Sequence, residues 1–139
     1  MPMMVPPVAD EREGLLGYLA QQRHALRTSA YGLTDDLARR TPTASALSVG
    51  GLVKHVTFCE QGWIDHVAGS DSSSFTDFQA YVTNFRMADD ETVAALLDRY
   101  AAVAARTDEV AAAADLGRPV PVPTDVPWFP ADVGAWSVR

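Results

Sequence analysis

The run 48–67 constrains the fold more than any other part of the chain, because its apolar residues recur with the period of one helix. Ser48 is a good N-cap residue, since its hydroxyl can accept a hydrogen bond from a free backbone N–H of the first turn. Gly69 is the expected stop. At about 100° per residue, one face carries an apolar stripe made of Leu52, Val56, Cys59, Trp63 and Val67. We expect this stripe to face the protein core, with Lys54 on the solvent side.

Two histidines lie at the edge of this stripe, and each is either a packed side chain or a ligand. Gly51 and Gly62 lie on the same side as His55, and glycine within a helix costs roughly 1 kcal/mol relative to alanine. The two glycines therefore suggest that a group beside His55 needs room. A close neighbouring helix would explain them equally well. His55 and His66 are about 16 Å apart along the helix axis and cannot share an ion. His55 and Cys59 are one turn apart and could share one.

Two further segments have helical periodicity. We predict long helices at residues 10–30, 48–68 and 90–114, and a short helical turn at residues 34–40. Residues 1–9 should form an extended tail, and the proline-rich residues 115–131 a strap that crosses between helices. His24 lies opposite the apolar stripe of the first helix, so we expect it in solvent. That stripe consists of Leu15, Leu19, Leu26 and Ala30.

Few other residues are candidates for chemistry. Cys59 in a helix face is expected to behave as a small apolar residue. Glu60 either orients His55, acts as a base or makes a structural polar contact, and we prefer the structural contact. An aromatic cluster after a Gly-Ser linker predicts a short helix that docks on the core or covers a ligand. Its members are Phe75, Phe78, Tyr81 and Phe85.

The composition restricts the class of protein. A chain of 139 residues is expected to form one domain, residues 1–139. A net charge of −7 without a basic stripe argues against nucleic acid or an anionic membrane as partner. No apolar run approaches the roughly 20 residues that span a bilayer, and the proline-broken start does not resemble a signal peptide. One cysteine excludes an internal disulfide, so we expect a cytoplasmic protein.

A set of motifs, in order along the chain, resembles one family: residues 32–40, Pro42, residues 47–55, Glu60 and Trp63. They are similar to the DinB-like superfamily, above all to its actinobacterial branch of mycothiol-dependent transferases. The resemblance covers about residues 15–139. It implies an all-α fold, namely a DinB-like four-helix bundle of the up-up-down-down type with a crossover.

The resemblance also implies a chemistry. The family binds a divalent metal through three histidines, one on the second helix and two on the last, and His55 matches the first of them. The implied cofactors are this metal, zinc or nickel, and a mycothiol-like thiol that is joined to a small electrophile. Catalytic and thiol-binding residues are not identified. The alternative is a non-catalytic DinB-like helical binding or oligomerisation module, since one fold serves many functions.

The sequence departs from the family pattern at its last residues. Residues 135–139 resemble the opening of the last helix, and the two other histidines are not present. We therefore expect that helix to be truncated here, with a chain that continues past Arg139, or to be supplied by a homodimer partner. Three helices alone would leave an apolar seam, since a fourth would bury about six or seven side chains at roughly 1.5–3 kcal/mol each. We predict His55 at this seam, without a complete three-histidine site.

Overall fold

The computed structural model describes residues 4–70, 77–121 and 136–138. These residues form five helices and one two-stranded ladder: α1 (Glu11–Ser29), α2 (Asp35–Arg39), α3 (Val49–Val67), α4 (Phe78–Thr83), α5 (Val93–Ala113), β1 (Pro119–Val120) and β2 (Trp136–Ser137). The fold is mostly helical, so the predicted all-α class is confirmed. The three long helices lie within a few residues of their predicted positions. None of these five described helices is both long and apolar enough to cross a bilayer.

Side-chain caps set the start of each long helix. Asp10 and Ser48 accept hydrogen bonds from backbone N–H groups in the first turns of α1 and α3, and the Ser48 cap is the predicted one. α5 starts later than predicted, because Thr92 is its cap rather than one of the acids before it. Gly32 (φ 74°) and Gly69 (φ 76°) follow α1 and α3 in the left-handed conformation that terminates a helix.

The core lies mainly between α3 and α5, which form the most extensive contact among the described elements. A buried cluster joins these two helices to the end of α1, to α2 and to the segment before α5: Ala30, Ala38, Val53, Met87, Val93, Leu96 and Tyr100. Thr57 is also buried on α3, and its hydroxyl donates to the Val53 carbonyl one turn earlier. That bond satisfies the hydroxyl within the helix, so a polar residue can lie on the packed face.

The predicted core face of α3 is wrong by about a third of a helix turn. Leu52 and Trp63, expected in the core, are 38% and 37% exposed. The buried side of α3 instead carries smaller residues, including Gly50, Val53 and Thr57. Small side chains on that side let neighbouring elements approach α3 closely, whereas the larger stripe residues would hold them apart.

Two adjacent glycines explain why room is needed beside α3. A Cβ atom on Gly51 would overlap the backbone carbonyl of Phe85, and one on Gly50 would overlap the Met87 side chain. The segment that leads into α5 therefore crosses α3 in direct backbone contact. A close protein neighbour is the correct interpretation of Gly51, and Gly62 is buried as well.

Lys54 does not lie on a solvent face, contrary to our expectation. Its ammonium donates to Glu91 Oε2 at 2.9 Å and to the Arg86 carbonyl at 3.2 Å. The Ala88 N–H donates to the same Glu91 oxygen at 2.7 Å. Burial alone would raise the pKa of Glu91, but the Ala88 hydrogen bond and the Lys54 charge outweigh burial and hold this pKa below its ordinary value. The pair ties α3 to the start of α5.

Replacing Glu91 with glutamine is expected to remove a pH-dependent part of the stability. A carboxyl whose pKa is lowered by folding stabilises the protein above its unfolded pKa of about 4.3, and this contribution disappears as the pH falls through the folded pKa. In urea unfolding, E91Q should be less stable than the parent chain near neutral pH, and the difference should close in acid. Glu109→Gln, at an exposed position of α5, is the control and should change little. A difference that persists in acid would exclude the carboxylate charge as its cause.

The predicted opening of a last helix at residues 135–139 is wrong where the structure describes it. There the chain forms β2, which pairs antiparallel with β1. The ladder supplies partners to backbone groups across the two strands, whereas a helix must first close a costly turn. Residues 122–135, which carry most of the predicted strap, lie outside the described residues. So do residues 71–76, which include Phe75.

Candidate functional site

Large apolar side chains of α1 and α3 line one open groove, and two of them, Leu26 and Val56, also pack against the core cluster. The groove cavity has a volume of about 990 Å³. The leucines, valines and tryptophan of the two predicted stripes form its walls: Leu15, Leu19, Leu26, Leu52, Val56, Trp63 and Val67. The described part of the chain therefore leaves an apolar seam between α1 and α3, as predicted.

His55 lies on the wall of this groove, half-buried and turned inward, as predicted. The Phe85 ring stacks on the imidazole, with ring centroids 3.8 Å apart and planes at 21°. Tyr81 meets the imidazole edge-on, with centroids 5.7 Å apart. Because Tyr81 and Phe85 pack against the His55 side chain, they favour a segment that docks on the protein over one that covers a ligand. Burial lowers the pKa of His55, so its ring is neutral near physiological pH and keeps one nitrogen lone pair.

Cys59 lies one turn after His55 on the same wall. Its Sγ is 3.5 Å from Nε2 and 3.9 Å from Nδ1 of His55. Burial raises the pKa of the Cys59 thiol, so the sulfur keeps its proton near neutral pH. Because the thiolate is the reactive form, burial disfavours a reaction at Cys59, in line with the expectation of a small apolar residue.

The described part of the chain does not assemble a complete metal site. Structural and catalytic zinc sites use three or four protein ligands, and no group of three His, Cys, Asp or Glu side chains within the described ranges could hold an ion. His66 lies elsewhere, with its Nε2 at the Pro121 carbonyl and its ring edge-on to Trp63. His55 and Cys59 could contribute two donors to a metal, and His55 as a metal ligand stays a prediction.

Arg23 connects the three long helices next to the groove. Its side chain donates to Glu60 through Nε at 3.1 Å and to Asp108 at 2.8 Å, and the residue is 7% exposed. Burial would lower the pKa of Arg23, but the hydrogen bonds and charges of Glu60 and Asp108 outweigh burial and raise it. Glu60 thus makes the structural contact that we preferred. Our sequence analysis missed Arg23, although this charged residue stands inside the apolar stripe of α1, between Leu19 and Leu26.

Three comparisons with known proteins bear on the family. A search of curated proteins and a search of solved structures each found no match. The family model described as mycothiol S-transferase matches residues 14–139, which include His55 and both walls of the groove. The predicted resemblance to the mycothiol-dependent branch of the DinB-like superfamily is confirmed. The chain belongs to the mycothiol S-transferase family.

Proposed function

We propose that this protein is a thiol S-transferase that joins a mycothiol-like thiol to a small electrophile, with His55 as one ligand of a divalent metal, zinc or nickel. Family membership supports the thiol. The observation on which the site rests is the half-buried imidazole of His55 on the wall of an apolar groove, where burial lowers its pKa. We place the activity in the cytoplasm, where reducing conditions keep thiols free.

The proposed reaction brings a thiolate and an electrophilic carbon together. The sulfur attacks the carbon and a C–S bond forms, while the leaving group departs with the electron pair of the bond that breaks. The thiol proton passes to solvent. The groove walls would hold the electrophile and exclude water from it, and both effects favour attack by an otherwise hydrated thiolate.

The metal part of the proposal is supported by the family resemblance and by the state of His55. When bound, such a metal deprotonates a coordinated thiol, whose pKa in free cysteine is about 8.5. A neutral imidazole has the lone pair that a metal requires, and the stacked Phe85 ring restricts its orientation. Cys59 is within reach of the same ion, and no third His, Cys, Asp or Glu of the described residues joins the two, so a complete site needs further donors.

A non-catalytic helical module for binding or oligomerisation is the second candidate. It is favoured by the lack of three metal donors within the described ranges. The open apolar groove would then be a contact surface, as in a homodimer. The metal content of the purified protein separates the two candidates, since only the transferase requires a bound ion.

His55→Gln is expected to lower the rate of thiol conjugation at least about 100-fold, because loss of even an outer partner of a metal ligand costs 10–100-fold. The metal bound per chain should fall in parallel. His24→Gln is the matched control, because His24 is exposed, as predicted, and contacts Thr28 on the surface of α1. The assay follows consumption of the thiol in the presence of an alkylating reagent, with metal content measured by mass spectrometry. Full activity in H55Q would contradict the proposed role.

A further inference from the structure

We infer that the groove between α1 and α3 binds an uncharged, apolar electrophile, and not a charged one; this rests on the proposed transferase function. The proposed metal ligand His55 and its neighbour Cys59 lie on the same groove wall as Leu52 and Trp63. An electrophile in the groove would therefore lie beside His55. The volume of about 990 Å³ is at the upper end of the range for small-molecule sites.

Among the described residues of the groove wall, Arg12 and Glu60 carry a formal charge, and both are engaged within the protein. Arg12 donates through both terminal nitrogens, to the carbonyls of Ala111 and Ala114 at the end of α5. Glu60 is held by the buried guanidinium of Arg23. A charged ligand would therefore have to displace an internal contact to find an opposite charge on either of these side chains.

Two hydroxyl groups on the wall are engaged in the same way. Ser29 donates to the Leu26 carbonyl at 2.7 Å, and Thr107 donates to the Val103 carbonyl at 3.1 Å. Their donor hydrogens are therefore directed into their own helices and not into the groove. A charged group that enters the groove loses its water, and the described charged residues of the wall, Arg12 and Glu60, are already paired, so its desolvation is not compensated. The wall thus favours apolar ligands by contact and disfavours charged ligands by desolvation.

Two fluorescent probes that differ by one charge test this inference without any catalysis. Phenylnaphthylamine is uncharged, and anilinonaphthalene sulfonate carries the same rings with an added sulfonate. We expect the uncharged probe to bind saturably, one molecule per chain, and at least about tenfold more tightly than the sulfonate. Titration at about 0.15 M salt limits the effect of the net charge of −7, since the Debye length is then about 8 Å.

A pair of leucine substitutions locates the probe. Leu52→Asp places a carboxylate on the groove wall, and Leu47→Asp places one just before α3, outside the groove residues. The two leucines are 38% and 41% exposed, so the variants are matched in burial. L52D should weaken the uncharged probe about tenfold or more, and L47D should not. Circular dichroism and a cooperative urea transition are the checks that both variants fold.

Equal affinity for both probes, or equal effects of L52D and L47D, would overturn the inference. So would a dimer in which the partner subunit closes the groove, so that the probe binds only after L52D opens it. Conjugation assays separate this inference from the proposed function. If no electrophile is conjugated but the uncharged probe still binds in the groove, the transferase proposal fails and the ligand class stands. If charged and uncharged electrophiles are conjugated equally, the transferase proposal stands and the inferred substrate class is wrong.

Discussion

Urea unfolding of Arg23→Met is expected to show a loss of about 3–5 kcal/mol in the free energy of unfolding, as for other buried ion pairs that lose one partner. Arg23 is 7% exposed and joins α1 to Glu60 on α3 and to Asp108 on α5. Its removal leaves the Glu60 carboxylate, itself largely buried, without its cationic partner. The unpaired buried charge, and not the loss of attraction alone, accounts for the size of the effect.

Two further variants identify the partner that matters. Asp108→Asn should cost only about 1 kcal/mol or less, because the Asp108 side chain is more than half exposed and its attraction to Arg23 is screened by water. The double variant R23M/E60M replaces both buried charges with apolar groups and should recover much of the loss. Equal losses in R23M and D108N, or a double variant as unstable as R23M, would show that the Arg23–Glu60 pair does not hold the helices together.

Gly51→Ala is expected to destabilise the fold by about 1–3 kcal/mol or more, as for other overpacked sites. The added Cβ would overlap the Phe85 carbonyl, which is backbone and cannot rotate away. The segment before α5 must then move off α3, and the Phe85 ring moves with it away from His55. The same substitution should therefore reduce stability and disturb the site.

A matched glycine controls for helix propensity. Gly14 lies near the start of α1, as Gly51 lies near the start of α3, but a Cβ at Gly14 would meet only the Val8 side chain at 3.4 Å. Gly14→Ala should be neutral or stabilising by up to about 1 kcal/mol. Nuclear magnetic resonance reports the stacking, because loss of the Phe85 ring current should shift the His55 ring protons in G51A only. If G51A is as stable as G14A and these protons do not shift, the contact with Phe85 does not position His55.

The helices could be predicted from local signals. The caps at Asp10 and Ser48 and the glycine stops at Gly32 and Gly69 act within a few residues, and the 3.6-residue period is visible without a partner. The position of His55 on the groove wall was also predictable, since His55 lies at the edge of the stripe that lines the groove. The segment at residues 135–139 was predicted incorrectly, because its described residues pair with a distant strand that their local pattern does not indicate.

The sequence by itself determined the positions of the long helices to within a few residues, the residues of their apolar stripes, and the family of the chain, because these depend on neighbours within a turn or on motif order. Only the tertiary structure decided that the stripe of α3 lines a groove while the Val53 side packs on α5. The same holds for the pairing of Arg23 with Glu60 and for the Phe85 ring on His55. Each depends on how closely two distant backbones approach, and the small residues of α3, Gly50 and Gly51, set that approach.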